Sequence, residues 1–212
     1  MLQLKTIHKN TLNLLKEISA IKDLDLFALA GGTSLSLQLG HRISIDLDFF
    51  TKEEFKPNDI ITILKQHFEL TDISTNINSL SLFINHNSQL VKIDFLRHNY
   101  PLLNRIITVN NIRLFSVEDI AAMKLNAIVN RGARKDFYDI YELLQHYSLL
   151  ELINIYKQKY SEMNIFTLIK SLSYFDDANI EPEPISLRKI TWENIKKFIS
   201  LEEKKYIEQS KP

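Results

Sequence analysis

Residues 26–50, LFALAGGTSLSLQLGHRISIDLDFF, constrain this chain more tightly than any other stretch. The apolar run 26–30 reads as a buried strand, broken by Gly31-Gly32. Residues 33–39 read as a short helix that stops at Gly40, and 43–50 as a second strand. Along that strand Ile43, Ile45, Leu47 and Phe49 alternate with Ser44, Asp46 and Asp48, so the two carboxylates share a face. Like charges at that spacing repel, and a divalent metal is the usual remedy. The diglycine lets a ligand approach the backbone, and a helix beginning near Thr33 offers amide N–H groups to an anion. A phosphate cradle and a carboxylate pair on one strand–turn–helix–strand unit form the layout of a phosphoryl-transfer site.

The flanking chain fits an α+β protein, a mixed β-sheet flanked by helices and followed by a C-terminal helical bundle. An amphipathic helix is expected over 4–20 and another from Pro57 to about residue 68. Strands are expected over 69–75, 80–85 and 90–96, and Asn110-Asn111 reads as a tight hairpin turn. From Ser116 onward the periodicity is helical, with segments near 116–130, 135–147, 149–160, 165–173 and 191–207, and a loop over 176–187. The division expected is an α/β core over 1–115 and a helical region over 116–212 that completes the active site.

A third carboxylate, Asp94, lies in VKIDFL, where Val91, Ile93 and Phe95 alternate with Lys92, Asp94 and Leu96. If this strand lies beside the Asp46/Asp48 strand, their apolar rows merge and the three aspartates meet on the other face. Mg²⁺ or Mn²⁺ with nucleotide phosphates suits such an oxygen set, with Asp94 helping to activate an incoming hydroxyl. The alternative is that these aspartates only keep a strand edge polar. Thr33 and Ser34 can offer hydroxyls to phosphate or cap the short helix, and Arg42 can meet a phosphate or form a structural ion pair. His41 reads as packed or surface rather than functional.

KLNAIVNRGARKDFYDIYELL, residues 124–144, is the second informative segment. Lys124 interrupts an apolar helix stripe, so it either touches a nucleotide or reaches out to solvent. In the first case its removal should leave folding intact. Arg131, Arg134 and Lys135 form a local positive spot, read here as an RNA contact. Asp136 and Asp139 share a helix face, either in the site or paired with those cations.

Composition narrows the field further. Twenty-six basic and 26 acidic residues cancel, so any nucleic-acid contact must be local. No cysteine is present, which removes disulfides and thiolate metal sites and fits a cytoplasmic location. The first residues lack the apolar core of a signal peptide, and no run reaches the length of a membrane span.

The diglycine turn, the Asp-x-Asp strand and a later aspartate resemble the DNA polymerase β-type nucleotidyltransferase superfamily. More narrowly, GGTSLSLQLGHRISIDLDFF with KLNAIVNRGARKDFYDIYELL resembles the AbiEii/AbiGii-type nucleotidyltransferase toxins, over residues 26–144. The resemblance implies transfer of a nucleotidyl group from an NTP, with Mg²⁺, often onto RNA such as tRNA. It also implies a toxin–antitoxin or phage-defence setting with a cognate antitoxin. On that basis Gly31, Gly32, Thr33 and Ser34 would hold the triphosphate, and Asp46 and Asp48 the metal. Lys124 would touch the nucleotide, and Asp136 or else Asp139 would complete the site. The competing reading is a non-catalytic module of the same fold that binds an NTP or a protein partner. A nuclease-like phosphodiesterase would not need the glycine cradle.

Overall fold

The computed structural model describes residues 1–209 and divides into two compact units, Met1–Pro101 with Arg105–Ser116, and Leu102–Asn104 with the chain from Val117 onward. The first unit is built on a seven-stranded mixed sheet. Its elements run α1 (Lys9–Ala20), β1 (Ala28–Leu29), α2 (Gly31–Leu39), β2 (Leu47–Thr51), α3 (Pro57–Lys65), β3 (Leu70–Asn76), β4 (Ser79–His86), β5 (Gln89–Arg97), β6 (Ile107–Val109) and β7 (Ile112–Leu114). The strand order is β3-β4-β5-β2-β1-β7-β6. Strand β2 runs parallel to β5 and β1 parallel to β7, while the remaining neighbours are antiparallel.

Side-chain alternation sets which face each strand buries. Leu80, Leu82 and Ile84 of β4, Val91, Ile93 and Phe95 of β5, and Leu47 and Phe49 of β2 are all buried. They form one core with Leu14, Leu15 and Ile18 of α1 and Ile60 and Leu64 of α3. Phe49 and Phe95 stack with ring centroids 5.2 Å apart, and Phe27 meets Phe95 edge-on at 5.0 Å. Each such ring contributes roughly 1.5–3 kcal/mol by leaving water. Two hairpins turn on residues held at positive φ, Asn87-Ser88 before β5 and Asn110-Asn111 between β6 and β7. Asparagine tolerates that region better than most residues, which is why these turns are readable from the sequence.

Two elements depart from expectation. The helix expected over 4–20 begins only at Lys9, because residues 3–6 serve as a strap. Gln3 N donates to Leu37 O at 2.7 Å, and Ser44 N donates to Thr6 O at 2.9 Å. The strand expected over 43–50 begins at Leu47, for a related reason. Residues 44–46 are held by the strap and by Thr33 rather than by neighbouring strands, and Ile45 is exposed.

The second unit is helical: α4 (Val117–Asn130), α5 (Arg134–Leu143), α6 (Leu149–Lys159), α7 (Ile165–Leu172), a single turn α8 (Asp176–Asn179) and α9 (Trp192–Gln209). Helix α4 packs against α5, α6 and α7 through Ile120, Ala121, Leu125 and Ile128. Ser148 and Glu151 form a reciprocal capping box that starts α6, and Asn164 caps α7. Asp119 is fully buried and accepts from Leu103 N at 3.0 Å, Asn104 N at 3.1 Å and Lys159 Nζ at 2.7 Å. Those three donors explain how a carboxylate survives in an apolar helix bundle. Within the stretch expected to be a loop, α8 forms because Phe175 packs on Phe137 and Trp192, at centroid distances of 5.0 and 5.8 Å.

Candidate active site

The site of greatest interest lies where β1 gives way to α2. Ala30 N donates to Asp48 O at 2.8 Å, so the residue before the diglycine is pinned to the Asp-x-Asp strand. Gly31 has φ +63°, and a side chain there would run into the Asp48 carboxylate. At Gly32 a side chain would run into the Arg42 guanidinium. Glycine is therefore favoured at Gly31 by its positive φ, and at Gly32 a side chain would have to push the Arg42 guanidinium aside. Helix α2 begins at Gly31, two residues earlier than expected, with Ala30 as N-cap and no side-chain cap. By helix geometry the Gly31, Gly32 and Thr33 amides have no intrahelical acceptor, and they carry the positive end of the helix dipole.

Thr33 and Ser34 are buried and face inward. Thr33 Oγ1 donates to Asp46 O and is also bonded to Ser44 Oγ at 2.9 Å. Ser34 Oγ accepts from Gln38 Nε2 at 3.2 Å. Their hydroxyls brace the Asp46 segment and the helix, so amides rather than hydroxyls are what this helix start presents. Arg42 is buried, and Nη1 donates to Ile43 O at 3.2 Å while Nη2 lies over Gly32. His41 is packed in the interior.

Strands β2 and β5 stand in parallel register, with Asp48 directly opposite Asp94 and Leu47 opposite Ile93. The apolar rows merge on one face and the carboxylates meet on the other. Asp46 sits one residue before β2. Lys92, two residues before Asp94 on the same strand face, donates to Asp94 Oδ2 at 2.7 Å. That hydrogen bond outweighs the opposing cost of partial burial. With the added attraction of Asp94, Asp46 and Asp48, it raises the Lys92 pKa above the ordinary lysine value. The lysine is thus an ammonium immersed in the field of all three carboxylates. The i, i+2 spacing of Lys92 from Asp94 is the sequence signal that places both on one face.

This donor set matches a hard divalent ion in kind. Mg²⁺ typically takes one or two carboxylates and completes its shell with substrate phosphates and water. Asp48, packed against Gly31 at the start of α2, with Asp46 close by in sequence, fits that description. Among the described residues no group of three or more acidic or histidine side chains stands ready to hold an ion alone. Asp94 instead has one oxygen committed to Lys92.

The second sequence segment forms a cluster inside the helical unit. Lys124 is buried, and its ammonium lies 2.9 Å from Asp136 Oδ1 and 2.6 Å from Asp139 Oδ2. Arg131 donates to the same Asp136 carboxylate at 2.8 and 3.1 Å. Burial would push the Asp136 carboxyl up, but Lys124 and Arg131 together hold it below the usual carboxylate range. Lys124 does not reach out to solvent, so the snorkelling alternative fails. The positive spot is also smaller than expected. Arg134 is tied to Glu181 O at 3.0 Å and Glu183 Oε2 at 3.1 Å, and its guanidinium lies 5.1 Å from the Trp192 ring centre.

The ion pairs of Lys124 predict a cost to folding on its removal, where the sequence alone predicts none. Lys124→Met should lose about 3–5 kcal/mol near neutral pH, because Asp136 and Asp139 stay buried with Arg131 alone. The lowered Asp136 pKa contributes stability that is present above about pH 4 and lost as pH falls below it. The deficit of the variant should accordingly shrink once the pH falls below about 4, as Asp136 protonates. Urea unfolding of both proteins between about pH 7 and pH 3 reads this directly. Equal stability at pH 7 would show that the cluster is not a structural ion network.

The chain matches the family model "Nucleotidyl transferase AbiEii toxin, Type IV TA system" over residues 13–208. It is 34% identical over 213 residues to an uncharacterized protein of Aquifex aeolicus, covering 97% of this chain and 100% of that protein. Among solved structures it is similar to a putative nucleotidyltransferase from Helicobacter pylori, with TM-score 0.58, 18% identity, and coverage of 97% of this chain and 100% of that one. JHP933 from Helicobacter pylori gives TM-score 0.57 and 19% identity over 96% of both chains. MenT4, a nucleotidyltransferase toxin from Mycobacterium tuberculosis, gives TM-score 0.50 and 14% identity over 92% of this chain and 87% of that one. The structural likenesses show a shared fold and the family match covers nearly the whole sequence: this chain belongs to the AbiEii nucleotidyl transferase toxin family of type IV toxin–antitoxin systems.

Proposed function

We propose that the chain is a metal-dependent nucleotidyltransferase that moves an NMP from an NTP onto an RNA hydroxyl, acting as a toxin restrained by a cognate antitoxin. The observation that carries this reading is the Asp48 carboxylate packed on Gly31 at the start of α2 and in register with Asp94. The helix start and the carboxylates thereby lie on one piece of sheet and helix, which supports this reading.

In this reading the Gly31, Gly32 and Thr33 amides bind triphosphate oxygens, and Arg42 adds a cation where it lies over Gly32. Asp46 and Asp48 hold Mg²⁺ or Mn²⁺, which when bound supplies charge neutralisation for the phosphates. Asp94 has Oδ2 on Lys92, and its Oδ1 takes the proton of the attacking hydroxyl. The acceptor oxygen bonds to the α-phosphorus, the bond to the bridging oxygen breaks, and pyrophosphate leaves. Lys124 and Asp136 anchor the helical unit rather than perform this chemistry, since each is saturated by the other and by Asp139 and Arg131.

The helical unit offers support for an RNA acceptor. A groove of about 750 Å³ is lined by Ile128, Arg131, Phe166, Lys170 and Tyr174, among others. Phe166 and Tyr174 are large aromatics left 65% and 54% exposed. Lys170 Nζ lies 4.4 Å from the Phe166 ring centre. Exposed rings beside cations form a stacking platform for unpaired bases.

Incubation with each NTP labelled at the α-phosphate and with total RNA should transfer label to RNA and release pyrophosphate. Asp48→Asn keeps the shape and removes one charge, so it should fold normally and lose about 10²-fold or more in rate. Undiminished transfer by that variant would reduce the carboxylate to a structural role. No transfer by the original chain with any NTP would favour the non-catalytic module.

The groove makes its own prediction. Phe166→Ala and Tyr174→Ala should each weaken binding of single-stranded RNA by roughly 5- to 100-fold, the value of one lost stacking partner. Binding should also fall as salt rises. Unchanged RNA affinity in both variants would place the acceptor elsewhere.

A further inference from the structure

The charge arrangement around Asp94 carries an inference that rests on the nucleotidyltransferase reading and goes beyond it. Asp46, Asp48 and Asp94 bring three negative charges to one end of the parallel β2–β5 pair. In a two-ion phosphoryl-transfer site two cations sit about 4 Å apart, one serving the attacking oxygen and the other the leaving group. Here the carboxylate on the acceptor side, Asp94, already holds an ammonium at 2.7 Å. Lys92 and Asp94 lie two residues apart on one strand face, so the pair is built into the backbone register and needs no folding of a distant segment. Arg42, a second cation of this unit, lies over Gly32 rather than on the Lys92 side of Asp94.

We infer that Lys92 takes the place of a second metal ion, so that this site works with one divalent cation per chain. The ammonium keeps Asp94 out of any metal shell and steadies the negative charge that develops on the acceptor oxygen. Lys92 is a positioning residue for Asp94 in this scheme. A lysine cannot leave with product or be chelated, so the acceptor side of the site stays charged between turnovers.

The test counts ions rather than turnover. Mn²⁺ bound per chain is measured by electron paramagnetic resonance on the full chain, with a saturating non-hydrolysable NTP. The original protein should bind one Mn²⁺, Lys92→Met should bind two, and Lys92→Arg should return to one. Adding Asp94→Asn to Lys92→Met should abolish the second ion. Lys92→Gln provides the same count if the methionine variant does not fold. Two ions in the original protein, or one in both it and the Lys92→Met and Lys92→Gln variants, would overturn the substitution of lysine for metal and leave the nucleotidyltransferase reading standing. No bound Mn²⁺ in the original protein would overturn both.

Discussion

The contact on which the α/β unit turns is the one between the Asp48 carboxylate and the bare backbone of Gly31. A carboxylate beside the positive end of a helix is favourable on its own, by roughly 0.3–1 kcal/mol. Glycine is needed because any side chain would displace that carboxylate, and because φ at this residue is positive. The hydrogen bond from Ala30 N to Asp48 O fixes the distance from behind. With β2 held on its other side by β5, the register that places Asp48 opposite Asp94 follows from the sheet. Helix start, carboxylates and Arg42 thus share one rigid frame, which is what positioning a triphosphate demands.

Charge is balanced differently in the two units. In the α/β unit Lys92 is bonded to Asp94 and lies in the field of Asp46 and Asp48 at the surface end of a sheet, half open to solvent. In the helical unit the buried acids are matched: Asp119 with Lys159, and Asp136 and Asp139 with Lys124 and Arg131. Matched buried pairs specify a structure but do little chemistry, because each group is already satisfied. The contrast is the physical reason for proposing the first cluster as the seat of the reaction.

Much of this was legible in the sequence where the signal is local. Alternation along VKIDFL predicts which side of β5 is buried, and Asn110-Asn111 predicts a hairpin because asparagine accepts positive φ. The Gly31-Gly32 break and the Asp46-x-Asp48 spacing are local signals of the same kind. What escaped was set by partners far away in the chain. Lys124 meets Asp136 twelve residues on, and Asp119 meets Lys159 after forty, distances at which periodicity says nothing. The bond from the Thr33 hydroxyl to the Asp46 carbonyl is likewise a tertiary contact that spacing does not reveal. Lys92 was passed over although its own spacing placed it beside Asp94; a lysine on a strand usually reads as a solvated edge.

The central claim is that the Gly31 turn holds a nucleotide against the Asp48 carboxylate. Equilibrium binding of a non-hydrolysable NTP with Mg²⁺ tests it most directly, comparing the original chain with Gly31→Ala and checking by circular dichroism that both are folded. The account predicts that the original chain binds the analogue and that a folded Gly31→Ala variant loses at least tenfold in affinity, since an added methyl displaces Asp48 and strains the turn. Equal affinity in the two folded proteins would contradict it.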